Sequence, residues 1–415
     1  MNESMNRDQR HLPCIASLEN PVQQYAWGNT QGILPFIEAT PKPGYPIAEV
    51  WMGSHGLAPS KLRLDDGSFP LDELIRRSPE HWLGARVAGR YHDLPFLFKV
   101  LAAGSPLSLQ LHPTQKEAQE GFAHEEQAAI PLSAPERTFK DANHKPELAL
   151  ALTPFSAMAG FRDPSEIADL LGPKLCRAFD FKGQGKKELR NFIRHVFSTK
   201  GDAYKILEAE LRARAEELLR SNSERAREAG AMVLELQALY PRDPGQFSPL
   251  ILNILNLEPG EGLFIPAGVI HAYVKGSILE IMACSDNVIR AGLTIKHVDV
   301  DLLCDMLDPD AQPTLIRPNR EQHAWGSRSI YATPAEEFRL EHLDVGPGGA
   351  VIPYVPTGPE ILLCTEGSFR IRAGCDGGEL VLPARASCFV GGSCSELSIE
   401  GAGSLWRATT GAHAL

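Results

Sequence analysis

The stretch Leu257–Lys296, LEPGEGLFIPAGVIHAYVKGSILEIMACSDNVIRAGLTIK, decides how the rest of the chain reads. Within it Gly260, Pro266, Gly268 and His271 follow the spacing G-x5-P-x-G-x2-H. Leu263, Phe264 and Ile265 form an apolar run that stops at a Pro-Gly turn, which is the pattern of a strand reversing into a second strand. Proline presets its own φ and glycine accepts the left-handed backbone of a tight reversal, so His271 is carried on the returning strand just past the turn. A neutral imidazole there can ligate a metal, although taken alone His271 is also compatible with a satisfied core histidine in an ordinary hairpin. The deciding partners must lie elsewhere in the chain.

The first partners are in LPFLFKVLAAGSPLSLQLHP, Leu94–Pro113, which reads as two apolar strands separated by Gly104-Ser105-Pro106. Ser108, Gln110 and His112 share one parity, and Leu107, Leu109 and Leu111 share the other, so the two sets face opposite sides of a sheet. Buried polar groups need partners, and this polar face is expected to line a polar cavity; a solvated sheet face is the alternative. Further on, KDANHKPELALALTPFSAMAGFR (Lys140–Arg162) brings Lys145 and Glu147 to the entry of another apolar strand with one parity. An acid and a lysine directed together into a β core mark a site, against the reading of a solvated ion pair at a strand end. Gln110, His112, Glu147 and His271 then offer an amide oxygen, two imidazoles and a carboxylate. That set suits a divalent transition metal with open positions, and one zinc ion per chain is the expected occupant. A closed structural zinc site more often uses cysteines, so the donor types favour catalysis.

Bulk properties set the frame. A length of 415 residues allows two or three domains, and 43% hydrophobic with 22% charged residues is ordinary globular composition. A net charge of −11 without a dense basic stripe argues against nucleic acid or an anionic membrane as partner, so an anionic substrate must meet a local basic pocket. The segment MNESMNRDQRHLPCIAS has acids and amides where a signal peptide has its apolar core, and no run is long enough to span a bilayer; a cytoplasmic protein is expected. The 8 cysteines form no C-x-x-C pair, which argues against a disulfide framework and for small core residues.

In chain order, NPVQQYAWG and AEVWMGSH precede the strands above, with Trp27, Trp51 and His55 read as aromatic packing near the site rather than its chemistry. Residues 1–162 are expected to form the first part of a catalytic β-barrel, and residues 248–328 its remainder. Between them residues 163–247, with DPSEIADLLG, KKELRNFIRHVF and AYKILEAELRARAEELLRSN, have apolar residues at helical spacing and form an inserted helical domain. Residues 329–415 return to short strands with Gly and Pro turns, read as a second, metal-free barrel. The expected fold class is therefore mainly β with inserted α.

Two resemblances attach to these residues. The spacing ending at His271 is similar to the second signature of the cupin barrel, a jelly roll. The longer set NPVQQYAWG, EVWMGSH, LPFLFKVLAAGSPLSLQLHP, NHKPELALALTPFSAMAGFR, GEGLFIPAGVIHAY and GSILEIMACSDNVIRAGLTIKHVD resembles, in the same order and over nearly the whole chain, the type I phosphomannose isomerases. The resemblance implies a zinc enzyme that interconverts mannose 6-phosphate and fructose 6-phosphate, with metal ligands at Gln110, His112, Glu147 and His271 and an active-site arginine at Arg290. Such a reaction moves a proton between adjacent carbons through an enediol, for which Lys145 and Glu280 are the acid/base candidates. Arg290 and Lys296 supply positive charge for a phosphate dianion, against a bland reading as surface charge. Ser108, Trp27 and Tyr273 complete the candidate substrate contacts. The partner is then a small sugar phosphate and the chain a monomer. The alternatives are a cupin that binds a sugar phosphate without turnover, and an iron-dependent cupin dioxygenase.

Overall fold

A computed structural model describes residues 12–411, so that most of the N-terminal segment read for a leader lies outside the described residues. The chain divides into two compact units: one of the residues up to Gln24, Ile33–Val100 and those from Pro318 onward, the other of Tyr25–Gly32 and Leu101–Arg317. Strands dominate the first unit and the second combines strands with most of the helices, so the chain as a whole is mainly β with inserted α, as expected. Among the described residues no helix is long and apolar enough to cross a membrane.

The first unit is built on one antiparallel sheet. Its strand order is Asn319–His323, Gly326–Tyr331, Arg339–Tyr354, Leu397–Thr409, Glu360–Ala373, Ser387–Val390, Ile15–Glu19, Lys61–Leu64 and Gly67–Pro70. Three strands from the start of the chain thus complete a sheet begun by its end, so compact units and chain-order segments do not coincide. Period-2 patterning identifies a strand but not its neighbour, which is fixed by edges and cores that form only in three dimensions. Leu343, Leu362, Phe369, Ile371, Leu397 and Leu405 pack in its core. Arg407 is buried beside them, its Nε on Glu360 (2.8 Å) and its Nη1 on Glu341 (2.9 Å), so this charge is compensated from two sides.

In the second unit one long strand, His271–Ala283, serves two neighbourhoods. Its first half pairs with Phe155–Phe161 and Leu109–Leu111, and its second half with Glu147–Ala151, all antiparallel. The register shifts between Tyr273 and Lys275, and Gly276 follows with φ +115°. A Cβ at Gly276 would meet the Pro154 carbonyl oxygen at 2.5 Å, so only glycine fits where the strand turns. The helices Pro164–Phe179, Lys186–Ser198, Gly201–Leu218 and Glu224–Leu239 share a core with the backs of these strands: Leu109, Leu111, Ile270 and Ile289 pack in one cluster with Ile167, Leu211 and Leu236. The leucine face of the Ser108–His112 segment is therefore covered by helices, which leaves the Gln110 face for the site.

Candidate metal centre

Strand register assembles the site before any side-chain contact is considered. Gln110 is paired with His271 on one side and with Arg290, from the strand Ile289–Gly292, on the other. Cross-strand partners project to the same face, so His271, Gln110 and Arg290 form a row across three strands. The Pro-Gly turn locks that row in place. Gly268, at φ +79°, donates its N–H to the His112 carbonyl at 2.9 Å, tying the reversal to the segment that carries the other histidine.

Both imidazoles are fixed from behind. His112 Nδ1 lies 2.7 Å from the Asn287 carbonyl and His271 Nδ1 lies 2.9 Å from the Val269 carbonyl. A carbonyl can only accept, so each Nδ1 carries the proton and each Nε2 presents a lone pair. Those Nε2 atoms point at one carboxylate: His112 Nε2 is 3.2 Å from Glu147 Oε1 and His271 Nε2 is 3.4 Å from Glu147 Oε2. Burial, helped by the Lys145 charge, pushes the His112 imidazole down to about 4, so it is neutral and forms no ion pair with Glu147. Burial alone would raise the Glu147 carboxyl, but Lys145 and the histidines hold it well below the ordinary range. Two lone pairs thus face an ionised carboxylate, with neither Nε2 hydrogen-bonded, at residues no more than 2% exposed. Acceptors converge in this way only where a cation belongs, and His112, Glu147 and His271 have the donor types and spacing to hold one.

Around this centre the other sequence candidates divide. Lys145 Nζ sits 3.3 Å from Glu147 Oε1. Tyr273 is buried, with its hydroxyl donating to Glu147 Oε2 at 3.3 Å, and its phenol is raised well above the ordinary value by burial, Glu147 and Glu280. Glu280 reaches this group although it is nine residues from His271, because the register shift reverses the parity of the strand. Arg290 is half-buried, and desolvation lowers its pKa. It has no carboxylate partner among the described residues. Lys296 is exposed, its pKa lowered by partial burial and by Arg290. Ser108 is half-buried directly before Leu109–Leu111, and Trp27 packs on a core cluster that includes Tyr273. A separate cavity of about 670 Å³ in this unit, lined among others by Asn29, Phe155, Lys275 and Ser277, contains none of the convergent groups.

Two residues escape the sequence reading. Asn287 is fully buried; its side chain accepts from Lys140 N (2.7 Å) and donates to the carbonyls of Asp141 (2.8 Å) and Asn143 (2.9 Å), which holds the carbonyl that orients His112. Its signal is the polar run Ser285-Asp286-Asn287 between two apolar strands. Lys99, in the first unit, is buried with its Nζ 3.8 Å from Glu49 Oε1 and over the Trp51 ring, whose Nε1 donates to Glu49 Oε2 at 2.7 Å. It is the one charge in the apolar run LPFLFKVLAA. His55 meets the same Trp51 edge-on, so both aromatic candidates serve as packing in that unit.

Residues 15–164 match the family model of the catalytic domain of type I phosphomannose isomerase. The chain is 35% identical to mannose-6-phosphate isomerase of Salmonella typhimurium over 408 residues, covering 95% of this chain and 99% of the relative. The Homo sapiens mannose-6-phosphate isomerase is 34% identical over 371 residues, 82% of this chain and 84% of the relative. Among solved structures, a point mutant of phosphomannose isomerase from Salmonella typhimurium superposes with a TM-score of 0.86 at 33% identity, covering 96% of this chain and 100% of that one. A zinc-bound holo form of mannose 6-phosphate isomerase superposes with a TM-score of 0.84 at 33% identity, with the same coverage.

Proposed function

The chain belongs to the type I phosphomannose isomerase family, and from that premise we propose that it is a zinc-dependent enzyme interconverting D-mannose 6-phosphate and D-fructose 6-phosphate through an enediol intermediate. The observation that supports this most directly is the pair of unbonded imidazole Nε2 atoms facing the Glu147 carboxylate at buried residues. His112, Glu147 and His271 would hold the zinc, with Gln110, in register between His271 and Arg290, as the fourth ligand. Bound there, the ion supplies Lewis-acid polarisation of the sugar's carbonyl and hydroxyl oxygens.

The remaining chemistry falls to the chain's own groups. Isomerisation removes a proton from one carbon and returns it to its neighbour, so one group must alternate between base and acid. Glu280 and Lys145 are the candidates; the Lys145 Nζ is already engaged by Glu147 at 3.3 Å, which leaves Glu280 as the better base. Arg290, desolvated and without a carboxylate partner among the described residues, is suited to a phosphate or to the developing enediolate oxygen, and Lys296 adds to the same positive field. Ser108, Trp27 and Tyr273 are the proposed wall for the sugar. The test is fructose 6-phosphate formation from mannose 6-phosphate by the purified chain, before chelation, after chelation and after zinc is restored. Turnover that chelation abolishes and zinc restores is expected. Binding without turnover would leave a sugar-phosphate-binding protein, and restoration by Fe(II) alone with oxygen uptake would leave a dioxygenase.

A further inference from the structure

Three of the eight cysteines meet in the first unit, from segments far apart in the chain. Cys14 precedes the strand Ile15–Glu19, Cys375 follows the strand Glu360–Ala373 and Cys394 follows the strand Ser387–Val390. Their sulfurs lie within 4.8 Å of one another, with Cys375 Sγ 2.8 Å from Cys14 Sγ and 3.7 Å from Cys394 Sγ. Core packing explains buried cysteines, but Cys375 is exposed and gains nothing from burial.

The backbone holds the three in place from several directions. Gly391 N–H donates to the Cys14 carbonyl (2.8 Å), Cys394 N–H to the Gly391 carbonyl (3.0 Å) and Gly374 N–H to the Glu396 carbonyl (2.9 Å). Asp376 accepts from the N–H groups of Cys14 (2.6 Å) and Gly378 (2.8 Å), which fastens the Cys375 turn to the start of the sheet. A disulfide between Cys14 and Cys375 would use two of the sulfurs and leave the third beside them without a function. An ion with metal–sulfur bonds of about 2.3 Å in tetrahedral array spaces its sulfurs about 3.7 Å apart, the separation Cys375 and Cys394 already have. Rotation of the exposed Cys375 side chain opens the shorter distance.

We propose that Cys14, Cys375 and Cys394 form a second metal site, in which three thiolates take a soft ion, zinc being the natural one, with the fourth position open to solvent beside Cys375. The site reverses the expectation that residues 329–415 form a metal-free unit. Soft thiolates select zinc and copper(I) over the hard cations, and an ion there cross-links residues 361 positions apart, constraining a long loop. It is independent of the isomerase reading, since none of its groups belongs to the His112–Glu147–His271 centre.

The test uses the full chain, reduced anaerobically, stripped by chelation, reloaded with zinc and freed of excess metal. Two zinc ions per chain are expected in the parent, one in Cys375→Ser and one in His271→Ala. Cadmium in place of zinc should give a thiolate-to-metal charge-transfer band in the parent and in His271→Ala, and none in Cys375→Ser, whose isomerase rate should match the parent. Cys375 is exposed, so its substitution leaves folding intact; Cys394→Ala serves as the second variant. One zinc in parent and Cys375→Ser alike, without a cadmium band, would overturn the site. So would full alkylation of all three thiols in the presence of zinc. Loss of the isomerase centre would be seen separately, as an unchanged zinc count in His271→Ala.

Discussion

His271 has no freedom to turn: its Nδ1 is held by the Val269 carbonyl two residues back, and its Nε2 is aimed at Glu147. His271→Ala should therefore lower zinc content at this centre by one equivalent in a folded chain, checked by elemental analysis alongside thermal unfolding; an unchanged content would remove His271 from the ligand set. Gln110→Ala should weaken zinc retention less, because a neutral amide oxygen is the poorest of the four donors. Arg290→Ala and Arg290→Lys should both leave zinc in place and lower the isomerase rate, Ala by on the order of 10²-fold and Lys by less, since the lysine keeps the charge and loses the planar fork. A fall in kcat would assign Arg290 to the transition state, a rise in KM alone to phosphate anchoring; full activity would exclude it from the site. The convergent residues are legible because spacing and parity carry chemistry: a histidine past a Pro-Gly turn, and a Gln and a His two apart on a strand. Asn287 is not legible, because its contribution is a backbone carbonyl held by side-chain hydrogen bonds to residues about 145 positions away, and no local pattern encodes that.

The strand His271–Ala283 is the element that most rewards perturbation. Its first half presents His271 and Tyr273 to the site by odd numbers, and its second half presents Glu280 by an even one. The change of parity depends on the bulge and on Gly276 at φ +115°. Gly276→Ala adds a Cβ 2.5 Å from the Pro154 carbonyl, so it should destabilise the fold by more than about 1 kcal/mol and reduce activity more than zinc content, because Glu280 moves while His271 stays. Equal stability in denaturant melts would contradict this role for Gly276. Simple alternation cannot show such a switch, which is why Glu280 stands out in the sequence by its context and not by its parity. The helices between residues 163 and 247 are a contrasting case. Their 3.6-residue pattern is plain, and even the break in Pro164–Phe179 falls at Gly172, which ends DPSEIADLLG and is followed by Pro173. What the pattern omits is their target: Ile167, Leu211 and Leu236 cover the backs of Leu109 and Leu111, so the helical layer supports the site strand without lending it a ligand. Substitution of Lys182 or Lys187, both exposed, should accordingly leave the isomerase rate within about twofold of the parent; a larger loss would assign the helical layer a part in closing the pocket.

For the molecule as a whole, acid is the condition that separates its two kinds of buried charge. His342, in the sheet of the first unit, stacks on Trp406 with ring centroids 4.1 Å apart and shares a hydrogen bond with Ser404 Oγ at 2.7 Å. Burial lowers its pKa from 6.5 to about 4; Asp344 opposes the change and Arg320 assists it. The unfolded chain takes up this proton near pH 6.5 and the folded chain only near pH 4, so the unfolded state binds more protons between those values. Stability is therefore full above about pH 6.5 and is lost as pH falls through the window to about 4, by at most about 1.4 kcal/mol for each pH step of one crossed. Glu341 titrates in a different range. Burial would raise it, but Arg407, Arg328 and Arg339 hold its carboxyl below the ordinary value, so its contribution is lost only at pH below 4.5. His112, also held at about 4, adds to the first window in metal-free chain, which makes equal metal loading a condition of the comparison. His342→Gln keeps a hydrogen-bonding group for Ser404 and cannot titrate. Urea unfolding at pH 7 and pH 5 should show a smaller loss of stability for His342→Gln than for the parent, with both falling alike below pH 4. Identical losses between pH 7 and 5 would mean that His342 is already charged within the fold, and that its stacking on Trp406 is a cation–π contact in place of a neutral one.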